Sequence, residues 1–477
     1  MTEFYSAPAA SADAQPSIPL KKFRGTVFRG KNVPVAHPFR GRETAPDSAA
    51  RPSPFPASGG RQAPTFGDTR NLSTPPKKKG GGSRGIPAAD TADVLRTVRA
   101  DRYRLLGAAR TLLVAAGARA GLEHPHNYAR TAKCCYICAD KGGVSVLLAS
   151  ELQRAFYAGL VTCGSVWACP VCAAKIQERR RLEIAQAIDW AYDVAKLQPV
   201  MVTLTFPHRS WHSLADLLEQ QARALYLLRT GKPWAKFKAK YGYTGLIRSL
   251  ELTRGERDGW HPHTHELWFV KQDPEGAPNS VATAMHAEIL KMWESACRRA
   301  GMLVDKKINA FRAYSVNVKG NCSASDYLAK QDDSKNWGVD REIAKGSTKE
   351  GRAKGLHPFG LLAKSADGDV RAGRLFLAYT IAMKGKRQIF WSPGLKEKVG
   401  VKDVKDETLA AEQREKADVL GALDADDWHT VRTAGARAQV LDAAELGGWL
   451  AVEAFIEVLT LAEIAKLESK IAALGVP

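Results

Sequence analysis

The sequence predicts an α+β fold: an antiparallel sheet of the split βαβ kind with helices on one face, preceded by a cysteine-rich, zinc-type lobe and followed by a helical C-terminal region. Three observations predict it. Segments with strand and helix patterns follow one another as β-α-β-β-α-β between residues 199 and 319. That order closes most simply as a sheet with its crossover helices on a face. Six of the eight cysteines fall between Cys134 and Cys172, and three histidines alternate within "HPHTH" at the head of an apolar run.

Taken in order, residues 1–90 hold 13 of the 24 prolines and a "PPKKKGGGSRG" stretch, with no sustained hydrophobic period. They read as a disordered basic arm. Residues 91–196 read as a helical and cysteine-rich region expected to bind zinc and DNA. "DVLRTVRADRYRLLGAARTLLVAAGARAGL" places Leu95, Val98, Leu105, Leu112 and Leu113 near one stripe, and "KIQERRRLEIAQAIDWAYDVAK" does the same with Ile176, Leu182, Ile184 and Ile188 over 173–196. Residues 197–400 carry the sheet. Strands are expected at 199–206, 244–253 and 261–270, helices at 213–229 and 280–300, a strand at 311–319 and a helix at 323–332. "RLFLAYTIAMKGKRQIFWS" (374–392) suggests two further strands joined by the "KGKR" turn. From 401 to 477 the chain is acidic, Ala-rich and helical in pattern.

Charge narrows the partners. The whole chain carries a net +20, of which residues 1–90 supply +8 (14 Lys/Arg, 6 Asp/Glu) and residues 401–477 contribute −7 (8 against 15), so the middle is strongly basic. Such a field suits a polyanion, DNA above all. No signal peptide and no run of 18 apolar residues is present, so a cytoplasmic protein without membrane contact is expected. In a reducing compartment clustered thiols favour metal over disulfides. "CCYIC" and "CGSVWACPVC" offer two C-x-x-C knuckles, Cys135 with Cys138 and Cys169 with Cys172, as ligands for a structural Zn²⁺. Cys134, Cys163, His124 and His126 are the alternatives. The adjacent Arg179, Arg180 and Arg181 are placed to meet duplex phosphates.

In a strand, His261, His263 and His265 share one face, with Thr264, Glu266 and Trp268 on the other. Imidazoles at i and i+2 can ligate one cation, and Leu267 and Phe269 would anchor that face in the core. If 246–253 and 261–270 form a hairpin with a symmetric loop, facing residue numbers sum to 514, which sets Glu251 opposite His263. The expected ligand set is therefore His263, His265 and Glu251, with His261 as a further candidate.

"HPHTHELWF" resembles the histidine motif of the HUH endonucleases, and in particular the replication initiators of rolling-circle plasmids. "VMVTLTFPH" (200–208) and "SDYLAKQ" (325–331) resemble the family's upstream strand motif and its Tyr-x-x-Lys helix motif, in family order. The resemblance implies a ferredoxin-like nuclease domain, Mg²⁺ or Mn²⁺ on the histidines, and Tyr327 as nucleophile with Lys330 stabilising negative charge. It further implies nicking of an origin duplex at an exposed single strand through a 5′-phosphotyrosyl intermediate, followed by strand transfer, with host helicase and polymerase as partners. Family members that carry a second tyrosine or a glutamate one turn earlier differ from this chain, which has Ser323 there and Asp326 beside Tyr327; Asp326 would activate water or cap the helix. Two other readings use part of the pattern. A non-enzymatic zinc-dependent DNA-binding regulator explains charge and cysteines but not the histidine strand. An amidohydrolase-type hydrolase needs later metal-binding His and Asp on strands, and only His286, His357 and His429 follow.

Overall fold

In a computed structural model of the chain, residues 88–139, 143–273, 280–320, 322, 355–411 and 416–473 are described. All lie in the compact unit Ser83–Pro477. No described helix is long and apolar enough to cross a membrane.

The centre is a five-stranded antiparallel sheet. Strands β3 (Leu197–Leu204), β4 (Gly245–Gly255), β5 (Gly259–Lys271), β6 (Val316–Lys319) and β7 (Ile389–Trp391) line up as β6-β3-β5-β4-β7, while β1 (Val144–Ala149), β2 (Arg154–Ala158) and β8 (Ala417–Leu423) make a second sheet ordered β2-β1-β8. Strand β3 reads "LQPVMVTL" because it is central and covered on both faces: alternate residues enter two different cores. The β4–β5 hairpin pairs Glu251 with His263, Ser249 with His265 and Gly255 with Gly259, the register whose numbers sum to 514. Gly259 has φ +78°, and a Cβ there would come within 2.7 Å of the Ser210 backbone, so the hairpin turns where only glycine fits.

Helices cover both faces of this sheet, not one as expected. Opposite the histidines, α1 (Ala88–Arg119), α3 (Leu214–Leu228), α4 (Gly231–Tyr241) and α5 (Ser280–Arg299) pack Leu105, Leu225, Phe237 and Trp293 against Val200, Val202, Trp268 and Val270. Helix α3 starts at Ser213, whose hydroxyl caps Asp216 N–H at 3.1 Å. On the histidine face α2 (Pro170–Asp193) lays Ile184, Ala187 and Ile188 over Met201, Ile247, Leu267 and Phe269. The reason is that β5 is apolar on both sides beyond His265, so neither face can be left to water.

Three further expectations give way. Residues 311–314 belong to helix α6 (Ile308–Tyr314), and the strand begins only at Val316. The run 374–382 is not a strand: it lies in α8 (Val370–Ala382), which follows α7 (Pro358–Ala366), and Ala372, Phe376, Tyr379 and Met383 are buried at helical spacing. Only Ile389–Trp391 joins the sheet edge. The C-terminal region also supplies a strand. After α9 (Leu395–Val399) and α10 (Asp406–Ala411), β8 pairs with β1, Val144 facing Leu423. Helices α11 (Ala425–Thr433) and α12 (Arg437–Ala473), the latter broken at Gly447–Gly448, bury Trp428, Val440 and Leu441 against Val144, Val146 and Tyr157.

Candidate metal centre on the β4–β5 hairpin

The hairpin brings one carboxylate and two imidazoles, all half-buried, together. The Glu251, His263 and His265 ligand atoms lie within 4.8 Å of one another. Glu251 Oε2 is 3.5 Å from His263 Nε2 and 3.3 Å from His265 Nε2. Burial alone would raise the Glu251 carboxyl, but His265 and His263 outweigh it and hold it well below the usual carboxylate range.

Both imidazoles are oriented from behind. His263 Nδ1 donates to the His261 carbonyl at 3.3 Å, and His265 Nδ1 meets the Thr203 hydroxyl at 2.9 Å. With Nδ1 engaged, each Nε2 is left to face Glu251, the arrangement in which histidine ligates a cation. Strand β3 supplies Thr203 directly opposite His265. Thr203→Val keeps the β-branched shape but removes that hydrogen bond; Mn²⁺ affinity is expected to fall about 10–100-fold in a calorimetric titration.

His261 is not part of this group, contrary to the expectation that it could be a ligand. Its Nδ1 is 2.7 Å from His208 Nε2 and its Nε2 is 3.0 Å from Thr205 Oγ1. His208 Nδ1 in turn lies 2.9 Å from the Asp258 carbonyl, to which it must donate. The protons then run one way: His208 Nε2 accepts from His261 Nδ1–H, and His261 Nε2 accepts from Thr205. Burial, with His263 and His208 adding to it, pushes the His261 pKa down to about 3, so it stays neutral with both nitrogens occupied. Thr203, Thr205 and His208 were not assigned roles from sequence. Their signal is the alternation in "TLTFPH", which puts Thr203 on the face of β3 that meets the histidines and Thr205 just past the strand's end.

His357 is a further residue to which the sequence assigns no role. It caps α7, accepting Phe359 N–H on Nδ1 at 3.1 Å, and the chain before it bridges β4 through Arg254 and Leu356. Burial lowers its pKa to about 4, with the Glu251 carboxylate pulling the other way, so it stays a neutral imidazole. Tyr327, Lys330, Asp326 and Ser323 lie outside the described residues.

The cysteines group differently from expectation. Cys134, Cys163, Cys169 and Cys172 come together, whereas Cys135 and Cys138 do not join them. Cys135 sits in the left-handed region at φ 47°, and its carbonyl accepts from Arg437 at 2.9 Å; Cys138 is held in a backbone bridge to Leu160. The arginine run also changes meaning. Arg180 is committed inside the chain, to Glu183 at 2.9 Å, Asp406 at 2.7 Å and the Val404 carbonyl at 2.7 Å, and Arg181 pairs with Glu178 at 2.6 Å. Arg180 is thus a rivet between α2 and the segment entering α10, not a surface phosphate contact.

Comparison with known proteins places the chain among replication proteins. Residues 158–432 match the family described as "Replication protein", more than half of the chain, and the chain belongs to that family. It is 28% identical over 336 residues to "Protein rep" of Streptomyces lividans, covering 57% of this chain and 73% of that protein. It is 32% identical over 178 residues to a "Neomycin resistance protein" of Streptomyces cyanogenus, covering 30% of this chain and 39% of that one. "Protein rep" of Lentilactobacillus hilgardii is 28% identical over 131 residues, 27% of this chain and 40% of that one. No solved structure matches the chain. The matched span contains Glu251, His263, His265 and Tyr327.

Proposed function

We propose that the chain is a plasmid replication initiator of the HUH endonuclease type, which nicks its origin and transfers the strand through a covalent tyrosine intermediate. The observation that carries this reading is the convergence of one carboxylate and two back-oriented imidazoles within 4.8 Å on the central hairpin of a replication protein. The strand order β6-β3-β5-β4, with β4 and β5 forming the hairpin, supports the ferredoxin-like assignment of the sheet.

The donor set fits a divalent cation. Two imidazoles and a carboxylate suit Mn²⁺ and accommodate Mg²⁺, whose preference for all-oxygen coordination makes it the weaker partner here. A cation held there would supply positive charge to a non-bridging oxygen of the scissile phosphate. The remaining roles belong to the chain. Thr203 and the His261 carbonyl hold the two imidazoles in the ligating orientation. Tyr327 Oη attacks phosphorus, the P–O3′ bond breaks, and the phenol proton leaves with the 3′ oxygen. The products are a 5′-phosphotyrosyl chain and a free 3′-OH from which the host polymerase extends, behind a host helicase. Lys330 stabilises the developing negative charge. Asp326 is assigned the later activation of water, or else capping of its helix. The basic middle of the chain, with Arg179 left from the arginine run, grips the origin duplex and its exposed single strand in the cytoplasm.

The test uses supercoiled plasmid bearing the cognate origin, Mn²⁺, and wild-type or Tyr327→Phe protein. Wild type is expected to give nicked circles carrying covalently bound protein, and the variant none. Equal adduct from both would overturn the nucleophile assignment. Sequence-specific binding without any nick from wild type would favour the DNA-binding regulator instead.

A further inference from the structure

We propose that Cys134, Cys163, Cys169 and Cys172 form a closed structural Zn²⁺ site that fixes the N-terminal end of α2, independently of the histidine centre. The sulfur spacing carries the proposal. Sγ–Sγ distances are 3.5 Å for Cys134–Cys172, 3.6 Å for Cys134–Cys169 and 3.7 Å for Cys163–Cys172. A tetrahedron with Zn–S bonds of about 2.3 Å requires its corners roughly 3.8 Å apart. These three pairs sit close to that spacing, all four sulfurs lie within 4.8 Å of one another, and none is in a disulfide. All four residues are buried, and no aspartate, glutamate or histidine belongs to the group. Four thiolates with no open position define a structural site, not a catalytic one.

The surroundings are those of a thiolate cluster. Cys169 caps α2 and its sulfur accepts the Cys172 N–H at 3.4 Å; Cys163 accepts the Ser165 N–H and the Thr131 hydroxyl, each at 3.5 Å. Amide donors aimed at sulfur, at the positive end of a 24-residue helix, stabilise the ionised form that a metal needs. Buried free thiols that only filled space would have no use for donors aimed at them.

The ligands come from three places: Cys134 ends the 3₁₀ turn Arg130–Lys133, Cys163 lies after β2, and Cys169 and Cys172 open α2. The loop strapped between Cys163 and Cys169 carries Trp167, whose indole N–H donates to the Lys386 carbonyl at 2.7 Å. Further along, the same α2 covers the apolar continuation of the histidine face through Ile184 and Ile188. The zinc is therefore a positioning element for α2 and its preceding loop.

The test is metal content of the full chain after dialysis into metal-free buffer, followed by cobalt substitution. One zinc per chain is expected, with a sulfur-to-cobalt charge-transfer band and the strong visible bands of a four-sulfur tetrahedral site. Cys134→Ser and Cys163→Ser should each lower zinc retention by about tenfold or more. Cys138→Ser and the double variant His263→Ala/His265→Ala should retain it. Absence of zinc in wild type, absence of the charge-transfer band, or loss of zinc from the histidine variant would overturn the assignment. Because the cobalt spectrum is read on wild type, the test stands even where a cysteine variant fails to fold. No readout depends on nicking, so failure here is distinct from failure of the nuclease reading.

Discussion

His265→Ala is expected to lower origin nicking by about 10²–10³-fold while leaving the chain folded. The half-buried imidazole is not what holds β5 in place: Leu267, Trp268, Phe269 and Val270, close after it, are fully buried in the two cores. Removing the ring takes away one of three donors and a partner of Glu251, and the Thr203 hydroxyl can turn to water. The loss should therefore appear in catalysis and metal affinity, not in cohesion. Initial nicking rates across a Mn²⁺ titration, alongside thermal melts, separate these. A shift of the midpoint to higher Mn²⁺ with an unchanged melt is the expected pair of results. Wild-type rates would remove His265 from the site.

The largest effect on stability is expected from Trp268→Ala, about 3–5 kcal/mol. Trp268 occupies the other face of the same strand, fully buried, with ring centroids of Trp234, Phe237 and Tyr243 at 5.4, 5.6 and 5.7 Å. Its indole N–H donates to Glu266 Oε2 at 2.8 Å, and Glu266, itself buried, is paired with Arg229. Truncation both opens a cavity among aromatic rings and takes one donor from a buried carboxylate. Denaturant unfolding should show a lower midpoint at an unchanged slope. Well below the transition, Mn²⁺ affinity should match wild type, because the imidazoles lie across the sheet from the cavity.

The histidine site was legible because its determinants are local. Alternation in "HPHTH" sets the face, and the length of the turn between two strand patterns sets the register, so Glu251 opposite His263 follows from counting. The partners on β3 were only half legible: Thr203 meets His265 through a pairing that no turn length specifies. His357 arrives from still further along the chain and carries no periodic signal. The cysteines misled because C-x-x-C spacing favours Cys135 and Cys138, while the backbone after the 3₁₀ turn brings Cys134 to the cluster instead. Strand β8 was illegible for a different reason. "ADVLGAL" sits in acidic, Ala-rich sequence, and its β character comes from pairing with β1, far away in the chain. The run 374–382 shows the converse: a short apolar stretch fits either period, and only burial at Phe376, Tyr379 and Met383 identifies it as helix.

The proposed nicking chemistry requires that Glu251, His263 and His265 together bind one divalent cation. Pulsed electron paramagnetic resonance of the Mn²⁺-loaded chain, grown with ¹⁵N-histidine, reads this directly. Coupling to two imidazole nitrogens is expected, reduced to one in either His263→Ala or His265→Ala, with Mn²⁺ affinity also weakened in Glu251→Ala. Bound Mn²⁺ with no histidine nitrogen coupling, or affinity unmoved by all three substitutions, would contradict it.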